Sequence, residues 1–385
     1  MNKRKICVVI TARPSYSRFK SALQAIKAHP ELELQIVVAA SALLPRYGSI
    51  IDYLEKDGFE NPTLVFNVLE GGSLISMAKT TGIGILEIST VFDNIRPDIV
   101  VTIADRFETM STAISAAYMN IPLAHIQGGE ITGNIDEKVR HAITKLADYH
   151  FVATDDAYER VLKLGENPEF VYNTGCPSID LAKIVKEKSA LDFDPYEKYK
   201  GVGSHPDFSA GYWVVMQHPV TTEMDESRNN VEETLYAMHS IKEPVFWFWP
   251  NIDGGSDGTS NGIRAFREKY NLEYFHFFKN MDPTDFLKLL SNSKGIIGNS
   301  SVGIRECSYL GLPAINIGTR QNSRCRGKNV IDVAYNRKKI VSAMKKLNGK
   351  VKISKSTMYG KGDAGKQIAK LLAILPLNYC KTITY

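Results

Sequence analysis

Short apolar, β-branched runs alternate along this chain with stretches whose apolar residues recur every three or four positions. ICVVI (6–10) predicts a strand, and SRFKSALQAIKAH behind it sets Phe19, Leu23 and Ile26 at helical spacing. ELQIVVAA predicts a second strand, and IIDYLEKDG a helix ending at Gly58. DIVVTIA, PLAHI and YHFVAT read as further strands, followed in turn by helices in ETMSTAISAAYMN, EKVRHAITKLADY and DDAYERVLKLG. The rhythm lapses over 189–211, where SALDFDPYEKYKGVGSHPDFSAG is polar and rich in turn formers, and a linker or surface excursion is expected there. It resumes with strands in YWVVMQ, PVFWFWP, EYFHF, KGIIG and PAINIG, separated by helices near 226–241 and 259–270 and in PTDFLKLLSN and VGIRECSYLG. Strand, loop, helix, strand is the signature of a doubly wound parallel sheet, here predicted twice.

Length changes the picture only by supporting two domains: 385 residues exceed one core of ordinary size. We expect a first domain over 1–180 and a second over 181–363, with a helix in 364–385 packing back on the first. No run reaches the ~18 consecutive apolar residues of a membrane span. The basic N-terminus continues into only five apolar residues, too few for a secretion signal. Five cysteines without CxxC spacing argue against a disulfide framework or a zinc site and suit a reducing cytoplasm.

Charge is uneven. Between Arg320 and Lys370 stand 15 basic residues and two acids, Asp332 and Asp363. Those charges lie on helical patterns such as NRKKIVSAMKKLNG without interleaved aromatics, so a solvated helix face is expected rather than a nucleic-acid surface.

In doubly wound sheets ligands gather at the carboxyl ends of the strands. The loops at those ends carry the candidate chemistry. HIQGGEITGNIDE (125–137) puts Glu130, Asp136 and Glu137 on a glycine-rich loop. Asp136 also suits an N-cap for a helix starting at Glu137. ADRFET places Asp105 and Arg106 between strand and helix; Asp105 suits a capping box with Glu108, which leaves Arg106 unexplained in a first turn that disfavours cations. GNSSVGIRE sets Ser300 and Ser301 where a helix N-terminus can hold phosphate, with Glu306 a turn further on. His218 ends the strand YWVVMQ. TARPSYS lacks the GxGxxG fingerprint after the first strand, and Walker, HExxH and EF-hand patterns do not occur, so nicotinamide and metal chemistry have little support in motif and a serine-hydrolase reading starts weak.

Taken together, TARPSYS, ADRFET, HIQGGEITGNIDEKVRHAITKLADYH, TGCPSID, QHPVTT, PNIDGGS, IGNSSVGIRE and INIGTRQNSRCRG resemble, in order over residues 11–327, the hydrolysing UDP-N-acetylglucosamine 2-epimerases of sialic-acid- and legionaminic-acid-type biosynthesis. The resemblance implies a GT-B-like fold of two Rossmann-like domains facing a cleft, no metal and no cofactor. It implies a UDP-HexNAc substrate, no nucleic-acid or membrane partner, and a homodimer or homotetramer in the cytoplasm. The implied reaction is UDP-N-acetylglucosamine plus water giving UDP and N-acetylmannosamine through 2-acetamidoglucal. Asp105, Glu130 and Asp136 match positions that move protons, and Arg106 one beside the sugar. Arg13, His218, Ser300, Ser301 and Arg320 match the cradle of the departing diphosphate. Glu306 matches the ribose ligand and Met281 the uracil contact, while His125, Gln127 and Asn251 are further expected substrate contacts.

Two departures remove negative charge near the expected sugar. Gln127 stands where relatives often carry a carboxylate, and Ser15 where the first loop usually has an acid. An amide moves no proton at neutral pH. A 2,4-diacetamido-2,4,6-trideoxy sugar is the alternative substrate those departures raise. A GT-B glycosyltransferase and a non-catalytic nucleotide-sugar sensor are the competing classes.

Overall fold

The computed structural model of the protein describes residues 3–44, 50–69, 73–104, 106–132, 135–250, 255–347, 353–378 and 380–384. In chain order its elements are β1 (Arg4–Ile10), α1 (Arg13–Ala28), β2 (Leu32–Ala39), α2 (Ile51–Lys56), β3 (Thr63–Val65), α3 (Leu74–Ile95), β4 (Ile99–Ile103), α4 (Thr109–Tyr118) and β5 (Leu123–Ile126). α5 (Ile135–Leu146), β6 (Tyr149–Val152), α6 (Asp155–Lys163), β7 (Val171–Asn173) and α7 (Pro177–Glu187) follow. Then come α8 (Pro195–Tyr199), β8 (Val202–Gly203), β9 (Trp213–Met216), α9 (Ser227–Ile241), β10 (Val245–Phe248), α10 (Ser256–Lys269), β11 (Phe275–Phe278) and α11 (Pro283–Ser291). The series closes with β12 (Gly295–Gly298), α12 (Ser301–Ile304), α13 (Glu306–Leu310), β13 (Ala314–Ile317), β14 (Val330–Val333), α14 (Arg337–Leu347) and α15 (Ala364–Ile374).

Two compact units result. The first gathers Met1–Ile131, Ile135–Asp180 and Met358–Tyr385; the second is built on Leu181–Thr357. The chain thus leaves the first unit within α7 and returns to it at Met358, six residues before α15.

The first unit holds a seven-stranded parallel sheet in the order β3-β2-β1-β4-β5-β6-β7. Its strands are apolar on both faces because helices cover both: Ile6, Val8 and Ile10 pack toward α1 and α15, Cys7 and Val9 toward α3 and α4. Each fully buried Val or Ile contributes roughly 2 kcal/mol. α15 docks on α1 so closely that a Cβ at Gly365 would lie 2.6 Å from the Ser21 carbonyl. Asp180 receives the first amides of α15, Ala364 at 3.0 Å and Gly365 at 2.8 Å.

The second unit repeats the plan in the order β14-β13-β12-β9-β10-β11-β8, with β8 antiparallel at the edge. Here the structure corrects the expectation for 189–211. Asp194 caps α8 ahead of Pro195, and Tyr196 stacks on His205 at 4.4 Å and meets Phe246 edge-on at 5.7 Å. Aromatic packing therefore builds this polar stretch into the unit, with β8 as its edge strand.

Strand order reverses between β1 and β4 in the first unit and between β9 and β12 in the second. Such switch points open a crevice at the strands' carboxyl ends. The four loops there carry Arg13, Arg106, His218 and Ser300 respectively.

Candidate active site

In the first unit α1 starts directly after β1, with Ala12 as an N-cap that offers no side-chain bond. Arg13 and Pro14 form its first turn. The Arg13 Nη1 is buried and has no hydrogen-bond partner, and burial lowers the guanidinium pKa to about 10. It remains a cation at neutral pH, set at the positive end of a 16-residue helix. That combination can receive an anion.

After β4, Asp105 lies outside the described residues. The helix α4 begins at Thr109, so Arg106 precedes it instead of standing in its first turn. Glu108 is itself the N-cap residue, but its side chain turns inward. Fully buried, it takes the Arg106 guanidinium side-on, Nε to Oε2 and Nη2 to Oε1 at 3.2 Å each, and accepts from Ser41 Oγ at 2.8 Å. The pair explains Arg106: the cation compensates a carboxylate held out of water.

After β5 the chain turns through Gln127 at φ +65° and Gly129 at φ +75°. A Cβ at Gly129 would approach the Ala157 carbonyl oxygen to 2.4 Å, so only glycine fits. The turn delivers Glu130, buried at 5% exposure, with its main-chain carbonyl held by the buried Arg140 at 2.7 Å. Asp136 is half-buried in the first turn of α5. The helix starts at Ile135, one residue before Asp136, so the carboxylate is inside the helix rather than capping it. Glu137 pairs with His141 at 3.5 Å.

Two expected substrate contacts are placed in the interior. His125 is fully buried, with Nε2 against the Ala104 carbonyl at 2.8 Å and Nδ1 against Thr144 Oγ1 at 3.2 Å. Burial depresses its pKa to about 3, so it is a neutral brace between β4, β5 and α5. Gln127 is buried at 1% exposure and its Nε2 donates to Cys176 Sγ at 2.8 Å, which in turn shares a hydrogen bond with Ser178 Oγ. The amide thereby ties the acidic turn to the loop after β7.

In the second unit the loops after β9, β12 and β13 interlock. Gly298 ends β12 at φ +131°, where a Cβ would meet the Met216 carbonyl oxygen at 2.1 Å. This crossing brings Asn299 beside His218. The fully buried Asn299 accepts from the His218 amide at 2.7 Å and donates to the His218 carbonyl at 2.8 Å. Its own carbonyl accepts from Gln321 Nε2 at 2.8 Å and Arg320 Nη1 at 3.4 Å.

Ser300 caps α12 by accepting from the Val302 amide at 3.4 Å. The helix is not continuous as expected. It breaks at Arg305, whose buried side chain turns back to donate to Ser301 Oγ at 2.7 Å. The Ser301 hydroxyl is thus held within the protein. Glu306 opens α13 at 6% exposure, and its Oε2 is buried without a hydrogen-bond partner. An unsatisfied buried carboxylate oxygen calls for a donor, and a hydroxyl supplies one. Met281, 5% exposed, sits just before Asp282, which caps α11 through Thr284 at 2.8 Å. Asn251 lies outside the described residues.

Arg140, Asn299 and Arg305 were not among the sequence-derived candidates for a role, and Glu108 was expected only as a capping-box partner. Asn299 had a signal, since it stands between the glycine and serine of the phosphate-type loop. The buried cations Arg140 and Arg305 look like ordinary helix-surface residues until packing is known. Among the described residues no cluster of His, Cys, Asp and Glu is arranged to hold a metal ion.

The family profile described as UDP-N-acetylglucosamine 2-epimerase matches residues 24–373. A UDP-N,N'-diacetylbacillosamine 2-epimerase (hydrolyzing) of Legionella pneumophila is 31% identical over 97% of both chains. A UDP-N-acetylglucosamine 2-epimerase of Neisseria meningitidis is 29% identical, covering 94% of this chain and 92% of that one. Among solved structures, a Methanocaldococcus jannaschii UDP-GlcNAc 2-epimerase in complex with UDP-GlcNAc and UDP superposes with a TM-score of 0.77 at 18% identity, over 96% of this chain and 99% of the other. At that identity it bears on the fold alone, two Rossmann-like units each built on a doubly wound sheet.

Proposed function

The chain belongs to the UDP-N-acetylglucosamine 2-epimerase family, and from that membership we propose that it is a hydrolysing epimerase, converting UDP-N-acetylglucosamine and water to UDP and N-acetylmannosamine. The observation that supports this reading is a buried carboxylate, Glu130, on the turn after β5, followed by a second, Asp136, in the first turn of α5. Glu130 is buried and Asp136 half-buried.

The chemistry needs such a pair. The C2 proton of the sugar becomes acidic only as the C1–O bond loosens. One carboxylate takes that proton while UDP departs with the bonding electrons, leaving 2-acetamidoglucal. Water then adds its hydroxyl to C1, and a carboxylic acid returns a proton to C2 from the opposite face. Asp105 is proposed as the third acid. General acid–base groups of this kind are worth about two to four orders of magnitude in rate. The diphosphate is proposed to be met by Arg13, His218, the Ser300–Ser301 loop and Arg320, with Glu306 accepting from ribose hydroxyls and Met281 beside the uracil. Arg106, held by Glu108, is proposed to lie against the sugar.

A second substrate reading rests on Gln127 and Ser15. Both replace expected acids with neutral groups, which suits a sugar bearing a 4-acetamido group and lacking the 6-hydroxyl. The relatives from Legionella pneumophila and, at 30% identity, Campylobacter jejuni are described as acting on such N,N'-diacetylbacillosamine nucleotides. UDP release from UDP-N-acetylglucosamine and from UDP-N,N'-diacetylbacillosamine, measured in parallel without an acceptor, separates the two. The higher kcat/KM identifies the substrate, and release from neither refutes hydrolysis.

A further inference from the structure

The polar stretch ahead of β8 is tied along the whole length of α11. Asn292, the C-cap of α11, donates from Nδ2 to the Ser189 carbonyl at 2.6 Å. Lys288 pairs with Asp192 at 2.7 Å, and Asp285 with Lys198 at 2.6 Å. Tyr199 completes the row at the start of the helix. Its hydroxyl donates to Asp285 Oδ2 and accepts from the Asp282 amide at 3.2 Å. On the sheet side, Phe286 of α11 meets Phe248 of β10 edge-on at 5.1 Å. The helix is therefore held between β10 and a strip of chain that follows it from end to end.

The members of this row are not equivalent. Asp192 and Lys198 are exposed, so their ion pairs contribute little. Tyr199 meets two buried residues, Asp282 at 6% and Asp285 at 8% exposure. Burial and the Asp285 carboxylate raise the pKa of the phenol, so it keeps its proton and gives it to Asp285. Its lone pairs are left to the Asp282 N–H. That N–H belongs to the peptide joining Met281 to Asp282. A trans peptide is planar and sets its N–H and C=O on opposite sides. The Tyr199 bond thereby fixes the direction of the Met281 carbonyl. Among the described residues no hydrogen-bond donor meets that carbonyl, although Met281 is only 5% exposed. A main-chain acceptor in so buried a residue calls for a donor. It stands just beyond Phe278, the last residue of β11, at the carboxyl end where doubly wound sheets gather ligands.

We propose that Tyr199 is a positioning residue for base recognition, aiming the Met281 carbonyl at the N3–H of uracil; this rests on the reading of Met281 as the uracil contact. Uracil carries a hydrogen at N3, whereas the N3 of cytosine is an acceptor without one. A fixed carbonyl bonds to the first and sets its lone pair against the second. Sites that hydrogen-bond a polar group reject analogues lacking it far more strongly than sites that measure shape. A carbonyl free to turn away loses that discrimination. The strip along α11 thus acts on the nucleotide through one peptide.

Calorimetry of the full chain with UDP and with CDP tests this apart from the reaction. Wild type should bind UDP at least ~30-fold more tightly than CDP. Tyr199→Phe should lower that ratio about 5-fold, the effect of one lost hydrogen bond, by weakening UDP and not CDP. Turnover of the nucleotide sugar should show the same factor in KM and not in kcat. Asp285→Ala removes the acceptor that orients the hydroxyl and should lower the ratio in the same direction, which carries the prediction if Tyr199→Phe does not fold. Lys288→Met breaks the row further along α11 and should leave the ratio unchanged. A ratio unmoved by both Tyr199→Phe and Asp285→Ala, or lowered as much by Lys288→Met, overturns the role of Tyr199 and leaves the uracil contact standing. A wild type that binds UDP and CDP alike overturns the placement of uracil at Met281, and this proposal with it.

Discussion

Glu130 shows how one residue can be legible in kind and hidden in setting. Its place on a glycine-rich loop after an apolar run was enough to mark it as a candidate. The burial of its side chain, the Arg140 bond to its carbonyl and the exclusion of any Cβ at Gly129 come only from packing. We predict that Glu130→Gln and Asp136→Asn each lower kcat by about 100-fold or more, while UDP affinity by calorimetry stays within a few-fold. Near-wild-type turnover in either variant would remove that residue from proton transfer. His125 and Gln127 illustrate the opposite case. Both sit in the same recognisable stretch, but strand register turns His125 into the core, and a left-handed backbone sends Gln127 to Cys176. Register and φ are set by tertiary pairing, which residue types alone do not reveal.

At the scale of elements, strands and amphipathic helices followed their periodicity closely, and the outcomes that differed have distinct causes. α8 and β8 lie in a polar stretch whose aromatics carry no period. α3 escaped notice because its apolar residues surround the helix instead of marking one face. The break at Arg305 depends on a buried side chain reaching back to Ser301.

The C-terminal tail is tied down by an equally non-local device. Glu166, 2% exposed, receives Lys145 and Lys381 at 2.7 Å and His150 at 3.0 Å. Burial alone would raise its pKa, but the bonds from His150, Lys145 and Lys381 outweigh it and pull the carboxyl to about 2. A depressed carboxyl stabilises the fold above its unfolded pKa of 4.5 and ceases to do so as pH falls toward 2. His150 is also held below its usual value by burial, so its protonation acts in the same direction. Glu166→Gln should therefore cost about 3 kcal/mol in urea unfolding at pH 7, with the gap to wild type closing below about pH 4. A gap that persists unchanged at low pH would contradict this electrostatic account.

For the whole molecule, two doubly wound sheets were legible as a repeated rhythm, whereas the strand order and the antiparallel edge strand β8 were not, and family membership follows from a match over nearly the full chain. The residues proposed for nucleotide-sugar cleavage lie largely on loops that follow buried strands, which is why they could be picked out from loops following apolar runs. The substrate's substituents were not, because Gln127 and Ser15 report only the charge removed. The central claim is that the sugar loses its C2 proton and UDP and then takes up water. The most direct measurement is NMR of the product formed in deuterated water from UDP-N-acetylglucosamine and UDP-N,N'-diacetylbacillosamine, without acceptor. The account predicts, with its substrate, free UDP and a released sugar inverted at C2 and carrying deuterium there. A released sugar that keeps its C2 proton and configuration, or an epimer still linked to UDP, would contradict it.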